Sequence, residues 1–130
     1  MEVPSGHTFY QVFTGKGTLF ECGRKLTLGE IDKKDGTANT ILVIEAGEAV
    51  PWSNPADLVH DAGLPVPPLG GAFPGRTRWA QGPGRVAGFN FCFADCSTRF
   101  IRRSRYNEEL LRPLITWNDG QMPDLSDMLD

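Results

Sequence analysis

The chain has few of the residues from which cofactor and metal sites are built. It holds three cysteines, Cys22, Cys92 and Cys96, and two histidines, His7 and His60, far apart. An odd cysteine count cannot pair fully within one chain, and no Cys-x-x-Cys occurs. This argues against a structural zinc site, and no cofactor is expected. An exported chain would carry one disulfide and one free thiol, a cytosolic one three reduced thiols. No apolar run approaches the roughly 18 residues that span a membrane. The start, Met1-Glu-Val-Pro-Ser-Gly, has neither a basic region nor an apolar stretch of the kind found in signal peptides. As it stands the chain reads as soluble and cytosolic, or as a piece that begins inside a longer protein. There is no Walker loop, and no GxGxxG follows a strand. No serine or cysteine has a nucleophile signature with His7 or His60 as base.

What is present is glycine and proline. Gly 15 and Pro 10 in 130 residues make almost a fifth of the chain, well above ordinary usage. Long helices are therefore not expected to dominate. The length suits one domain, residues 1–130, and 40% apolar residues allow one modest core. Net charge is −3, with no global preference for nucleic acid. Charge is uneven, however. Residues 76–105 hold seven arginines against Asp95, while residues 106–130 hold six acids against Arg112. A basic sheet face beside an acidic tail accounts for this. The sharper alternative is a module for an anionic ligand or polyanion built on Arg99, Arg102, Arg103 and Arg105, with Trp79, Phe89 and Phe100 interleaved.

Hydropathy patterning gives a strand at Phe9–Phe13 and one helical turn over Leu26–Ile31, capped by Thr27. A turn follows at Asp32–Gly36. Thr40-Ile-Leu-Val-Ile-Glu45 reads as a central strand buried on both faces. Asn54–Leu58 is expected to form a helical turn, with Asn54 capping and Pro55 in first position. Pro65–Gly71 should be extended, in a long excursion over the sheet, and Gly82-Pro-Gly84 a loop tip. Phe89, Phe91 and Phe93 alternate with Asn90, Cys92 and Ala94, and Thr98 and Phe100 alternate with Arg99 and Ile101. This is a β-hairpin about Asp95-Cys96. A two-residue turn places Ala94 opposite Ser97, Phe93 opposite Thr98 and Phe91 opposite Phe100. Phe100 then shares a buried face with the other three phenylalanines. Asn107–Thr116 is a short helix with an apolar stripe of Leu110, Leu111, Leu114 and Ile115. Pro113 should kink it or delay its start. Residues 122–130 form a frayed turn or a disordered tail.

Two polar groupings merit weighing. Asp32, Asp35, Asn39 and Glu45 offer oxygens around a glycine-containing turn, but their spacing is not that of a calcium loop, and a hydrogen-bonded turn explains them. Cys96, at a turn, should be exposed and open to modification, while Cys92 on a strand is a small packed hydrophobe.

Four segments, in consistent order between about Phe9 and Asn118, resemble one family. They are Asp35-Gly-Thr-Ala-Asn-Thr-Ile-Leu-Val-Ile-Glu45, Ala49-Val-Pro-Trp52, Leu69-Gly-Gly71 and Gly88-Phe-Asn-Phe-Cys-Phe-Ala-Asp95. The chain is similar here to the DUF1559 proteins of planctomycetes, whose function is unknown and which carry a His-x9-Asp-Gly motif near the C-terminus. The resemblance implies an exported, pilin- or pseudopilin-like protein of the periplasm or cell surface, non-enzymatic, with protein partners or self-association. It implies an α+β, β-rich fold: an antiparallel sheet with a C-terminal hairpin and short helix. Asp35, Gly36, Asn39, Asp95 and Cys96 fall on its motif and turn positions. The chain departs from the pattern in three ways. The prepilin helix is missing, so anchoring and filament assembly do not carry over. The Asp-Gly turn reads Asp95-Cys96, and cysteine resists the positive φ that glycine accepts. The motif histidine is missing too. Ten residues before Asp95 stands Arg85, while the Pro-Gly context lies at Phe73-Pro-Gly75, about a dozen residues away.

Overall fold

The computed structural model describes residues 4–54, 56–71 and 87–129. The readings at Pro55, Phe73–Gly75, Trp79, Gly82–Gly84 and Arg85 fall outside them. Strand β1 (His7–Gln11) leads into the two-residue β2 (Phe13–Thr14). A short helix α1 (Leu28–Asp32) and a 3-10 turn (Thr37–Asn39) precede the long strand β3 (Ile41–Pro51). Then come β4 (Leu58–Val59), β5 (Gly88–Phe93), β6 (Thr98–Arg102), a second 3-10 turn (Arg103–Arg105) and helix α2 (Glu108–Ile115). Strands β1, β3, β5 and β6 form one antiparallel sheet in the order β1-β3-β5-β6, and β2 pairs in parallel with β4. The fold is α+β and rich in β-structure. No helix among the described residues is long and apolar enough to cross a membrane.

The local chemistry explains the short elements. Thr27 closes a capping box: its hydroxyl accepts from Glu30 N at 3.2 Å, and the Glu30 carboxylate accepts from Thr27 N at 2.8 Å. Asn107 caps α2 by accepting from Glu109 N at 2.9 Å. Helix α2 starts directly at Glu108 and runs through Pro113, so the late start expected from that proline does not occur. Its stripe is in place, with Leu111, Leu114 and Ile115 buried and Leu110 packed against the same cluster. In the segment read as a helical turn at Asn54–Leu58 the described residues are not helical, and Leu58 opens strand β4. Leu58 N donates to Val12 O and His60 N to Thr14 O, so the two-strand ladder with β2 overrides the local capping signal.

Strand β3 is an inner strand and is longer than its apolar run. Ile41, Ile44 and Ala46 are buried, but Leu42 and Val43 are only half-buried, so the run is not covered on both faces. A register shift between Ile41 and Val43 interrupts the alternation.

The hairpin register differs by one residue from the two-residue turn. Cys92 faces Thr98, Phe91 faces Arg99, Asn90 faces Phe100 and Phe89 faces Ile101. Phe93 N donates to Ser97 O and Cys96 N donates back to Phe93 O, both at 2.9 Å. Three residues therefore cross the tip, with Cys96 at φ +69°. A tight turn followed by one left-handed residue is the usual three-residue hairpin, and it spares all but one residue the positive φ. Ile101, not Phe100, thus joins Phe89, Phe91 and Phe93 in the core. Ile101→Ala is expected to cost about 2–5 kcal/mol, and Phe100→Ala distinctly less, since Phe100 is half-exposed. Equal losses in urea melts would contradict this register. Cys96→Gly should raise stability by about 0.5–1 kcal/mol by relieving the left-handed residue; an unchanged melting temperature would count against the turn geometry.

The acidic C-terminal stretch takes the turn alternative and is docked. Met128 is buried, and Leu129 bridges to Ile101.

Candidate functional site

The polar residues singled out by sequence hold loops to the sheet. Asp35 is 2% exposed, and its carboxylate accepts from Asp119 N at 3.1 Å and Gly120 N at 2.9 Å. It thereby fastens the turn after α1 to the turn after α2. Burial, and a hydrogen bond shared with the Asp119 carboxyl, hold the Asp35 carboxyl above the ordinary carboxylate range. Asn39 Nδ2 donates to Asp35 O, and Thr40 Oγ1 to Gly36 O. Asp32 accepts from the backbone and hydroxyl of Thr37. Glu45, 3% exposed, accepts from Asn90 N at 2.6 Å. The four oxygen-bearing residues therefore point to different partners. Among the described residues no group of three or more His, Cys, Asp or Glu is placed to hold a metal.

The structure brings the motif segments together. Ala94 N donates to Thr40 O and Asp95 N to Thr37 O, so the hairpin tip rests on the turn that follows Asp35-Gly36. Asp95 accepts from the hydroxyl and backbone of Ser97, and these bonds lower its carboxyl below the usual range. Cys96 is exposed; Cys92 is half-buried, and burial raises its thiol.

Leu69-Gly-Gly71 inserts where β3 and β5 splay. Leu69 bridges to Ala46, Gly70 N donates to Glu45 O, and Gly71 N to Ala46 O. The fit requires bare backbone. A Cβ on Gly71 would lie 2.0 Å from Gly47 O, and one on Gly70 3.0 Å from Gly88 O. Arg103 closes this seam, its Nη2 donating to Leu69 O and Gly70 O at 3.1 Å each.

That brace bears on the arginine cluster. On β6, strand alternation sends Arg99 to the side of Ile101 and Arg102 to the side of Phe100. Arg99 donates to Thr98 O, Arg103 spans the seam, and Arg105 lies in the 3-10 turn beyond. Strand alternation therefore puts Arg99 and Arg102 on opposite faces of β6.

Sequence spacing gave no sign of a cleft of about 380 Å³ lined by His60, Glu109, Arg112, Thr116, Asp119 and Gln121. Its walls come from positions some fifty residues apart, so no local motif marks it. Burial, reinforced by the Arg112 charge, keeps the His60 imidazole below its ordinary value and therefore neutral at pH 7. Arg112 is itself engaged by Leu64 O at 2.9 Å and the Glu108 carboxylate at 3.1 Å. The Asp119 oxygens accept from Thr116 Oγ1 and Gln121 N. Arg112, Thr116 and Asp119 are thus committed to one another's neighbours and to backbone.

No protein-family model, no curated protein and no solved structure matches this chain. Fold and geometry define the class: a β-rich α+β fold whose polar side chains fasten loops and turns to one another around an antiparallel sheet.

Proposed function

We propose that this chain is a non-enzymatic structural or interaction module, the globular part of an exported, pilin-like protein. One observation carries the reading. Asp35, Arg103 and Arg112 each hold a loop or turn in position, and Glu45 braces strand β5 through Asn90 N. A scaffold that commits its charged groups to loop geometry is suited to presenting a fixed surface to another protein. The family resemblance supplies the pilin-like character and the location outside the cytoplasm. Three of the four segments bearing it, 35–45, 69–71 and 88–95, meet at the seam and at the hairpin tip. Protein partners or further copies of the chain are the expected ligands.

The test is enzymological. Purified protein assayed against ester, phosphoester, glycoside and peptide substrates should show no turnover above buffer. Turnover that disappears in His60→Ala, with the fold intact by circular dichroism, would overturn the reading, because His60 is a neutral imidazole in a cleft.

A further inference from the structure

Among the described residues, the turn at Leu125–Leu129 is held mainly by its side chains. Leu125–Leu129 closes on itself, with Met128 N and Leu129 N donating to Leu125 O at 3.0 and 2.9 Å. Met128 is 1% exposed and belongs to the apolar cluster that contains Ile101, Leu111 and Leu114. Leu125 and Leu129 pack against that cluster half-buried. Among the described residues, one β-bridge ties this turn to the sheet, from Leu129 to Ile101 on β6, the last strand in the order. The connection upstream is different. Asp35 fixes residues 119 and 120, and from there Gln121, Met122 and Asp124 are exposed. The segment is an apolar foot on a short polar tether.

We propose that Leu125–Leu129 is an exchangeable plug, and that the groove it fills beside β6 docks the same segment of a second copy of this chain. This rests on the reading of the domain as an interaction module and names its partner. A foot that fits in cis fits in trans through the same contacts, so the tether alone separates the two states. A short tether holds its foot at an effective concentration of the order of millimolar. The closed monomer therefore dominates in dilute solution, and reciprocal exchange takes over when the protein is concentrated. Because each copy gives and receives the same segment, the product is a two-fold symmetric dimer.

The experiment refolds the full chain from denaturant at increasing protein concentration and separates the products by size exclusion and sedimentation. Mixed unlabelled and 15N-labelled chains should give dimers of intermediate mass. The dimer-to-monomer ratio should rise about tenfold for each tenfold rise in free monomer. Peroxide oxidation followed by mass spectrometry should modify the exposed Met122 and spare Met128 in monomer and dimer alike. Met128→Asp should abolish the dimer; Leu129→Glu, at the half-buried bridge position, serves if the first variant does not fold. A chain that stays monomeric at the highest concentration overturns the plug. A dimer that survives both substitutions also overturns it, while leaving the interaction-module reading intact. Turnover dependent on His60 would sink that reading without touching dimer exchange.

Discussion

Gly88→Ala is expected to destabilise the domain by about 3 kcal/mol or more, toward the upper end of what overpacking does in a core. A Cβ at position 88 would stand 2.2 Å from Ile101 O and 2.6 Å from the Phe100 ring. The Ile101 carbonyl, being backbone, cannot step aside cheaply. Ile101 lies within the ladder, and Gly88 is itself paired with Arg102. Relief requires β5 and β6 to part, which loosens Phe89 and Ile101, both buried almost completely. For a domain of ordinary stability, about 5–15 kcal/mol, this is a large share. Urea denaturation followed by circular dichroism measures it. Gly29→Ala is the control: it sits in α1, where a Cβ would meet Thr27 Oγ1 at an ordinary 3.9 Å, and alanine should stabilise that helix by about 0.5–1 kcal/mol. A Gly88→Ala protein as stable as wild type would mean that the strands do not approach as closely as the structure shows.

The second expected result concerns Asp35 and pH. Its carboxyl is raised from the ordinary 3.8, first by burial and then by the hydrogen bond shared with Asp119, against the lowering by two backbone N–H donors. A raised carboxyl binds its proton more tightly folded than unfolded. Folding then takes up a proton, and stability falls as pH rises from about 3.8 through the raised value, levelling above it. Asp95 and Asp124 act in the opposite sense. Their carboxyls are lowered by Ser97 and Ser126, so what they contribute is lost as pH falls below the usual range. Asp35→Asn removes the first effect and leaves the others. The variant's stability relative to wild type should therefore improve as pH rises from about 4 to 7. Asp35→Ala strands the N–H groups of Asp119 and Gly120 and should cost about 2–4 kcal/mol throughout. Denaturant midpoints across that range decide the matter. A difference between Asp35→Asn and wild type that does not vary with pH would show that Asp35 titrates as it does in the unfolded chain.

Local signals carried the reading of the sequence a long way. Thr27 and Asn107 announce their helices because a side-chain oxygen must satisfy open backbone N–H groups at a helix start. The phenylalanine alternation of β5 marks its buried face because strand side chains repeat every two residues. The errors came where non-local pairing decided. Asn54–Leu58 carries a capping signal, yet Leu58 and His60 bond to Val12 O and Thr14 O more than forty residues upstream. The hairpin slipped by one residue because Asp95-Cys96 suggested a two-residue turn, while a single left-handed Cys96 is the less strained choice. That slip moved Ile101 into the core in place of Phe100.

The candidate site divides in the same way. Asp35, Glu45 and Arg103 were visible as residue types, but their side-chain partners lie 33 to 85 positions away, and no spacing rule reaches that far. The sequence by itself determined a β-rich chain, the caps of α1 and α2, the central strand and the phenylalanine face, because caps and periodicity act between near neighbours. Only the tertiary structure decided that Arg103 braces a glycine seam, that Asp35 latches the turn after α2, that His60 enters a cleft and that Met128 plugs the core. Each of these depends on which distant backbone groups lie close enough to accept a bond or exclude a side chain, and chain folding alone sets that.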